Sequence, residues 1–218
     1  MRKIAPYILA FSLVFASCSS NEGEIVNNEP QQKLLNSYTL KRDGSGAYSI
    51  DFNVNTDTDV ATYKGNDNSN DIVLSAAKTA TKREYSNEYA IENDHLKIGF
   101  IENNSGKKTR ISVKDDNITF AKGTVTEFLN SYSVTSNEDG TYQLDFKVND
   151  NVTTEFIYNE DKDIYEVHLS TGAAKQKEFS RDFVMPNSGV LKINFVNHKY
   201  SAKTTETTTK PDLEIIYE

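Results

Sequence analysis

Few side chains in this chain are equipped for chemistry, and their spacing suits few reactions. Histidines stand at His95, His168 and His198, and the one cysteine is Cys18. No two of them lie at the short separations from which a metal ligand set is built. The sequence therefore points to surface histidines, with no zinc, no other metal and no cofactor. A catalytic serine would need a Gly-flanked elbow between strand and helix. Nothing fits G-x-S-x-G, and Ser45 in Gly44-Ser45-Gly46 reads as a turn residue. Asp51 and Asp145 could be paired for glycoside hydrolysis only at a few to about ten ångströms from each other. They read instead as solvated or cross-strand-paired carboxylates. The oxygen-rich loops at 65–71 and 159–163 lack the central Gly and distal Glu of an EF-hand, and Lys162 puts a cation in the second, so both read as hairpin turns. No catalytic constellation emerges, and the chain is expected not to be an enzyme.

The elements that carry these residues are strands. In Tyr48-Ser49-Ile50-Asp51-Phe52-Asn53-Val54-Asn55 large apolar residues alternate with polar ones, the two-residue period of a strand with one buried face. The same pattern returns 94 positions later as Tyr142-Gln143-Leu144-Asp145-Phe146-Lys147-Val148-Asn149. Leu35-Asn36-Ser37-Tyr38 returns at that offset as Leu129-Asn130-Ser131-Tyr132, Gly46 as Gly140 and Glu84-Tyr85-Ser86 as Glu178-Phe179-Ser180. With one inserted residue near Gly189, Leu96-Lys97-Ile98 matches Leu191-Lys192-Ile193. The chain is an internal duplication.

Periodicity and turn residues predict strands at 35–41, 47–55, 59–64, 71–76, 84–91, 95–102, 108–114 and 117–121, then at 128–135, 141–149, 152–158, 164–170, 177–185, 190–197 and 212–217. Good helix formers at 76–85 and 173–183 leave a short helix as an alternative there. The Thr-rich run at 204–209 reads as a flexible loop before the last strand, with a β-rich Thr ladder as the alternative. Such spacing predicts an all-β fold, two tandem antiparallel β-sandwich-like repeats of about 90 residues. The alternative is one larger β-barrel or sheet built from the duplicated halves. The 12 Tyr and 11 Phe supply a core at alternating positions, but Tyr63, Tyr158, Tyr165 and Tyr200 are not placed by the pattern.

Net charge is −8, with no dense Lys/Arg stripe, which argues against a nucleic-acid partner. The amino terminus has its own logic. Met1-Arg2-Lys3 is basic, residues 4–15 are largely apolar, and Ala16 and Ser17 are small. That is the layout of a secretory signal peptide, and the apolar run is shorter than the ~20 residues of a membrane span. Phe15-Ala16-Ser17-Cys18 resembles the lipobox of bacterial lipoproteins, and with Ser19 after the cysteine it is similar to outer-membrane lipoproteins of the Bacteroidota. The resemblance implies cleavage between Ser17 and Cys18, lipid on Cys18, and a membrane partner held through that lipid. It further implies a location at the outer membrane, facing the cell surface or the periplasm.

The expected organisation is thus a signal peptide at 1–17, a flexible tether at 18–33, and β repeats at 34–122 and 123–218. The expected function is a non-catalytic binding or scaffold module for a glycan or protein partner. An envelope or extracellular polymer hydrolase and a barrel-type carrier of an apolar ligand are the alternatives.

Overall fold

The computed structural model describes residues 32–115, 128–200 and 205–218. Every regular element in them is a strand. The first repeat supplies β1 (Leu35–Arg42), β2 (Tyr48–Val54), β3 (Thr58–Lys64), β4 (Asn70–Ala76), β5 (Glu84–Tyr89), β6 (His95–Glu102) and β7 (Lys108–Lys114). The second supplies β8 (Leu129–Ser136), β9 (Thr141–Val148), β10 (Val152–Asn159), β11 (Ile164–Thr171), β12 (Glu178–Val184), β13 (Val190–Tyr200) and β14 (Thr205–Tyr217). The strand expected at 117–121 lies outside the described residues, as do Ser17, Cys18 and most of the expected tether.

The strands form two sheets, in the orders β12-β9-β8-β1-β2-β5 and β10-β11-β13-β14-β7-β6-β4-β3. Neither closes into a barrel. Each repeat is sandwich-like, three strands over four, and the two are joined edge to edge so that both sheets run on from one repeat into the other. The seam is β1·β8 in one layer and β7·β14 in the other. About it the order is symmetric, since β1 corresponds to β8 and each later strand to its counterpart seven further on.

The two halves share details of local backbone. Gly46 has φ 85 and Gly140 φ 84, each closing the turn between the first two strands of its repeat. That φ is the left-handed region, which glycine enters without steric cost. Both first strands carry the same irregularity in register, between Leu35 and Ser37 and between Leu129 and Ser131.

Three expectations change, and one alternative falls away. The larger sheet is mixed, because β4·β6 and β11·β13 are parallel. In each repeat the intervening strand, β5 or β12, lies in the opposite sheet, so the chain crosses over and returns in the same direction. The segments 76–85 and 173–183 hold no helix; each leads into a strand of the smaller sheet. The Thr-rich run belongs to β14, paired with an extension of β13 through His198↔Thr207 and its neighbours. Pro211, which has no N–H to give the ladder, sits where that pairing shifts register. Finally, the offset between repeats is not uniform. It is 94 at β5 and β12 but 95 at β4 and β11, where Val167 faces Phe195 as Ile72 faces Phe100.

One core runs the length of the sandwich. Inward residues of both repeats, from Leu40, Ile50 and Phe52 to Leu144, Phe146 and Ile215, are buried in a single cluster. At about 25 cal/mol per Å2 of apolar surface, each fully buried Leu, Ile or Phe contributes about 1.5–3 kcal/mol. This burial is what fixes the phase of every strand, and so decides which side chains reach the outside.

Candidate functional site

Three places gather polar side chains. The first is inside the seam. Tyr38 donates from its hydroxyl to Tyr142 at 3.4 Å, and its repeat counterpart Tyr132 donates to Tyr48 at 3.2 Å. The two pairs are edge-on, with ring centroids 6.4 and 6.1 Å apart. Only the second is extended. Tyr48 donates to Asp115 Oδ2 at 2.8 Å, and Arg42 Nε donates to the same oxygen at 2.7 Å. Both charged side chains are buried, and burial pushes the Tyr48 and Tyr132 hydroxyls far toward their protonated forms. Their neutrality and the deep burial of Arg42, Asp115, Tyr48 and Tyr132 make this a structural lock.

The second is the outer face of the smaller sheet. Ser180, Asp145, Ser133, Lys41 and Ser49 form one row across β12, β9, β8, β1 and β2. Asp182, Gln143, Thr135, Thr39, Asp51 and Ser86 form the next. Neither row contains an aromatic or aliphatic side chain. Over it lies an open groove of about 800 Å3, whose lining includes Ser131, Asp145, Lys147 and Ser180. Hydrogen bonds from Lys41 and Ser86 hold the Asp51 carboxyl below the usual carboxylate range, while Asp145 accepts from Gln143 Nε2 at 3.1 Å. The two aspartates thus serve separate partners on a flat surface and do not face each other across a cleft. The two acidic loops are hairpin turns. Lys97 reaches Asp67 at 3.3 Å in the first, and Asp163 accepts from Tyr158 at 2.6 Å in the second.

The third is on the outer face of the larger sheet, and spacing alone does not reveal it. His168 on β11 and His198 on β13 stand 2.7 Å apart, Nδ1 to Nε2, with ring centroids 4.9 Å apart and planes inclined by 21°. Glu166 Oε2 lies 2.9 Å from His168 Nε2, and Thr207 Oγ1 lies 3.3 Å from His198 Nδ1. The parallel pairing of β11 with β13 brings together histidines 30 residues apart. One signal in the sequence marks them. The first repeat has Val73 and Asn103 at the corresponding places, so the dyad is an addition of the second copy. His95 stands apart at a turn, its Nδ1 2.8 Å from the Asn93 carbonyl.

Of the unplaced tyrosines, Tyr63 is 61% and Tyr158 46% exposed, both on edge strands. Tyr165 packs inward against Phe183, ring centroids 4.5 Å apart. No helix of the described residues is long and apolar enough to cross a membrane. No known family model matches the chain, and no curated protein and no solved structure matches it significantly.

Proposed function

We propose that the protein is a lipid-anchored outer-membrane lipoprotein whose β sandwich is a non-catalytic binding or scaffold module for a glycan or protein partner. The observation that carries this reading is the contrast between a filled interior and a broad polar exterior. The inward faces of both sheets pack into one cluster, which leaves a barrel-type carrier no chamber for an apolar ligand. The open groove on the smaller sheet sets hydroxyls, carboxylates and the lysines Lys41 and Lys147 beside the ring of Phe179. Such a surface suits hydrogen bonding to a polar, extended partner. The anchor rests on the lipobox-like Phe15-Ala16-Ser17-Cys18, and two or three acyl chains would hold the module stably at the membrane.

One experiment separates binder from hydrolase. A chain beginning at Ser19, purified from the soluble fraction, is passed over envelope polysaccharide and peptidoglycan. Retention without release of reducing ends or peptides supports the binder; release of products supports the hydrolase. If the mass of the unaltered protein shows no lipid on Cys18, the anchor is refuted.

A further inference from the structure

We propose that His168 and His198 form a binding site for a divalent transition-metal ion of the kind imidazole prefers, Zn2+ or Cu2+. The proposal is independent of what the polar face of the smaller sheet binds. It begins with hydrogen placement. Glu166 can only accept, so His168 Nε2 carries the proton between them, and in the neutral ring His168 Nδ1 is then a bare lone pair. His198 must donate to it from Nε2, which leaves His198 Nδ1 to accept from the Thr207 hydroxyl. Two ring nitrogens are thus aimed at one point, and each ring is oriented from behind by an oxygen. A carboxylate behind one histidine is the outer-shell arrangement that orients metal-binding imidazoles and raises their basicity.

A metal ion would take the place of the proton between the rings. His198 shifts from its Nε2–H to its Nδ1–H form, and both rings stay neutral. The Thr207 hydroxyl accommodates this by turning from donor to acceptor, which a carboxylate or an amine in its place could not do. Two nitrogens on one ion at about 2.0–2.1 Å each stand roughly 3 Å or more from each other. The present 2.7 Å must open by roughly half an ångström, and each ring must turn so that its lone pair, now aimed at the other nitrogen, meets the ion. His168 and Glu166 keep 20% and 16% of their side-chain exposure, so an ion can arrive from solvent. Glu155 lies opposite His168 on β10 and on the same outer face, adding a second carboxylate that favours a cation. No group of three or more His, Cys, Asp or Glu suited to hold a metal occurs among the described residues. The site is therefore a two-histidine one, with the other positions taken by water or by a partner's ligand. Imidazole ligands suit zinc and copper, and calcium and magnesium, which want oxygen, would be poorly served.

The test is calorimetric titration of the untagged full chain with ZnCl2 and CuCl2 in a non-coordinating buffer. One saturable site is expected. His168→Ala and His198→Ala should each weaken it by at least tenfold, Glu166→Ala by about tenfold through the lost orienting bond, and His95→Ala not at all. Nitrogen-detected NMR of the unaltered chain makes the result independent of variant folding. Zn2+ should shift His168 Nδ1 and His198 Nε2 and leave His95 in place. Equal affinity in the His168 and His198 variants overturns the proposal. So does a shift at His95 alone, or no saturation by roughly millimolar metal.

Discussion

Leu40 on β1 and Val134 on β8 pair across the seam, and each is the other's counterpart in the duplication. Ser112 and Glu214 stand in the same relation in the larger sheet. These two pairs mark where the approximate two-fold passes through the layers. The protein therefore carries its own control at most positions, because the environment of a residue in one half can be compared with that of its counterpart.

The tyrosine pairs give the first comparison. Tyr48 and Tyr142 each accept a hydroxyl bond, but Tyr48 also donates to the buried Asp115. Tyr142→Phe loses a neutral bond and should cost about 0.5–1.5 kcal/mol, whereas Tyr48→Phe loses one to a charged group and should cost about 1.5–3 kcal/mol. Urea unfolding of the two variants, with unchanged denaturant slope, measures the difference.

Thr58 gives the second. It is 1% exposed and its hydroxyl has no partner, while its counterpart Val152, 2% exposed, has no hydroxyl to satisfy. Thr58→Val puts the second repeat's solution into the first. It should raise stability by about 1–3 kcal/mol, the penalty of an unsatisfied buried polar group, visible as a higher melting temperature.

Much of this was legible beforehand, and the boundary has a physical cause. Strand positions follow from local alternation, which is why Tyr48–Val54 and Thr141–Val148 stand where the pattern predicts. The all-β sandwich character follows with them. Which sheet a strand joins depends on distant partners. Nothing local in Glu84–Tyr89 says that it crosses to the smaller sheet and makes β4 and β6 parallel neighbours. The histidine dyad is a product of that crossover in the second repeat, so it was hidden for the same reason. The Thr-rich run misleads because its pairing partner, the end of β13, extends past the point where its first-repeat counterpart β6 stops, at Glu102.

Glycine conformation supplies a graded test. Gly140 has φ 84 with nothing within 4 Å of an added Cβ, while Gly189 has φ 72 and the Tyr217 carbonyl oxygen 3.0 Å away. Gly140→Ala should cost about 1–2 kcal/mol for the left-handed backbone alone. Gly189→Ala should cost more, since the turn between β12 and β13 must also shift against β14. Thermal melts of both variants check the order.

Asp212 sets a pH dependence. Burial, with Glu214 nearby, raises its carboxyl above the usual value, although the Asn194 amide donates to it at 2.8 Å. The folded state thus holds the proton more tightly than the unfolded chain. This contribution is fully present below the unfolded value of about 3.9 and is lost as pH rises through the raised folded one. Asp212→Asn should accordingly gain on the order of 0.5 kcal/mol at neutral pH and nothing at about pH 3. Denaturation midpoints at both pH values decide it.

The symmetric strand order has a consequence at the rims. The larger sheet ends in β3 on one side and β10 on the other, and the smaller in β5 and β12. These are counterparts, so the molecule is bivalent. A strand able to add to one rim meets a matching rim at the far end, and unguarded growth would have no natural stopping point. The rims are studded with charge, Asp59 and Lys64 on β3, Glu155 on β10, Glu84 and Glu88 on β5, Glu178 and Asp182 on β12. Repetition doubled the open rims and with them the hazard of polymerisation, which the charged rims oppose.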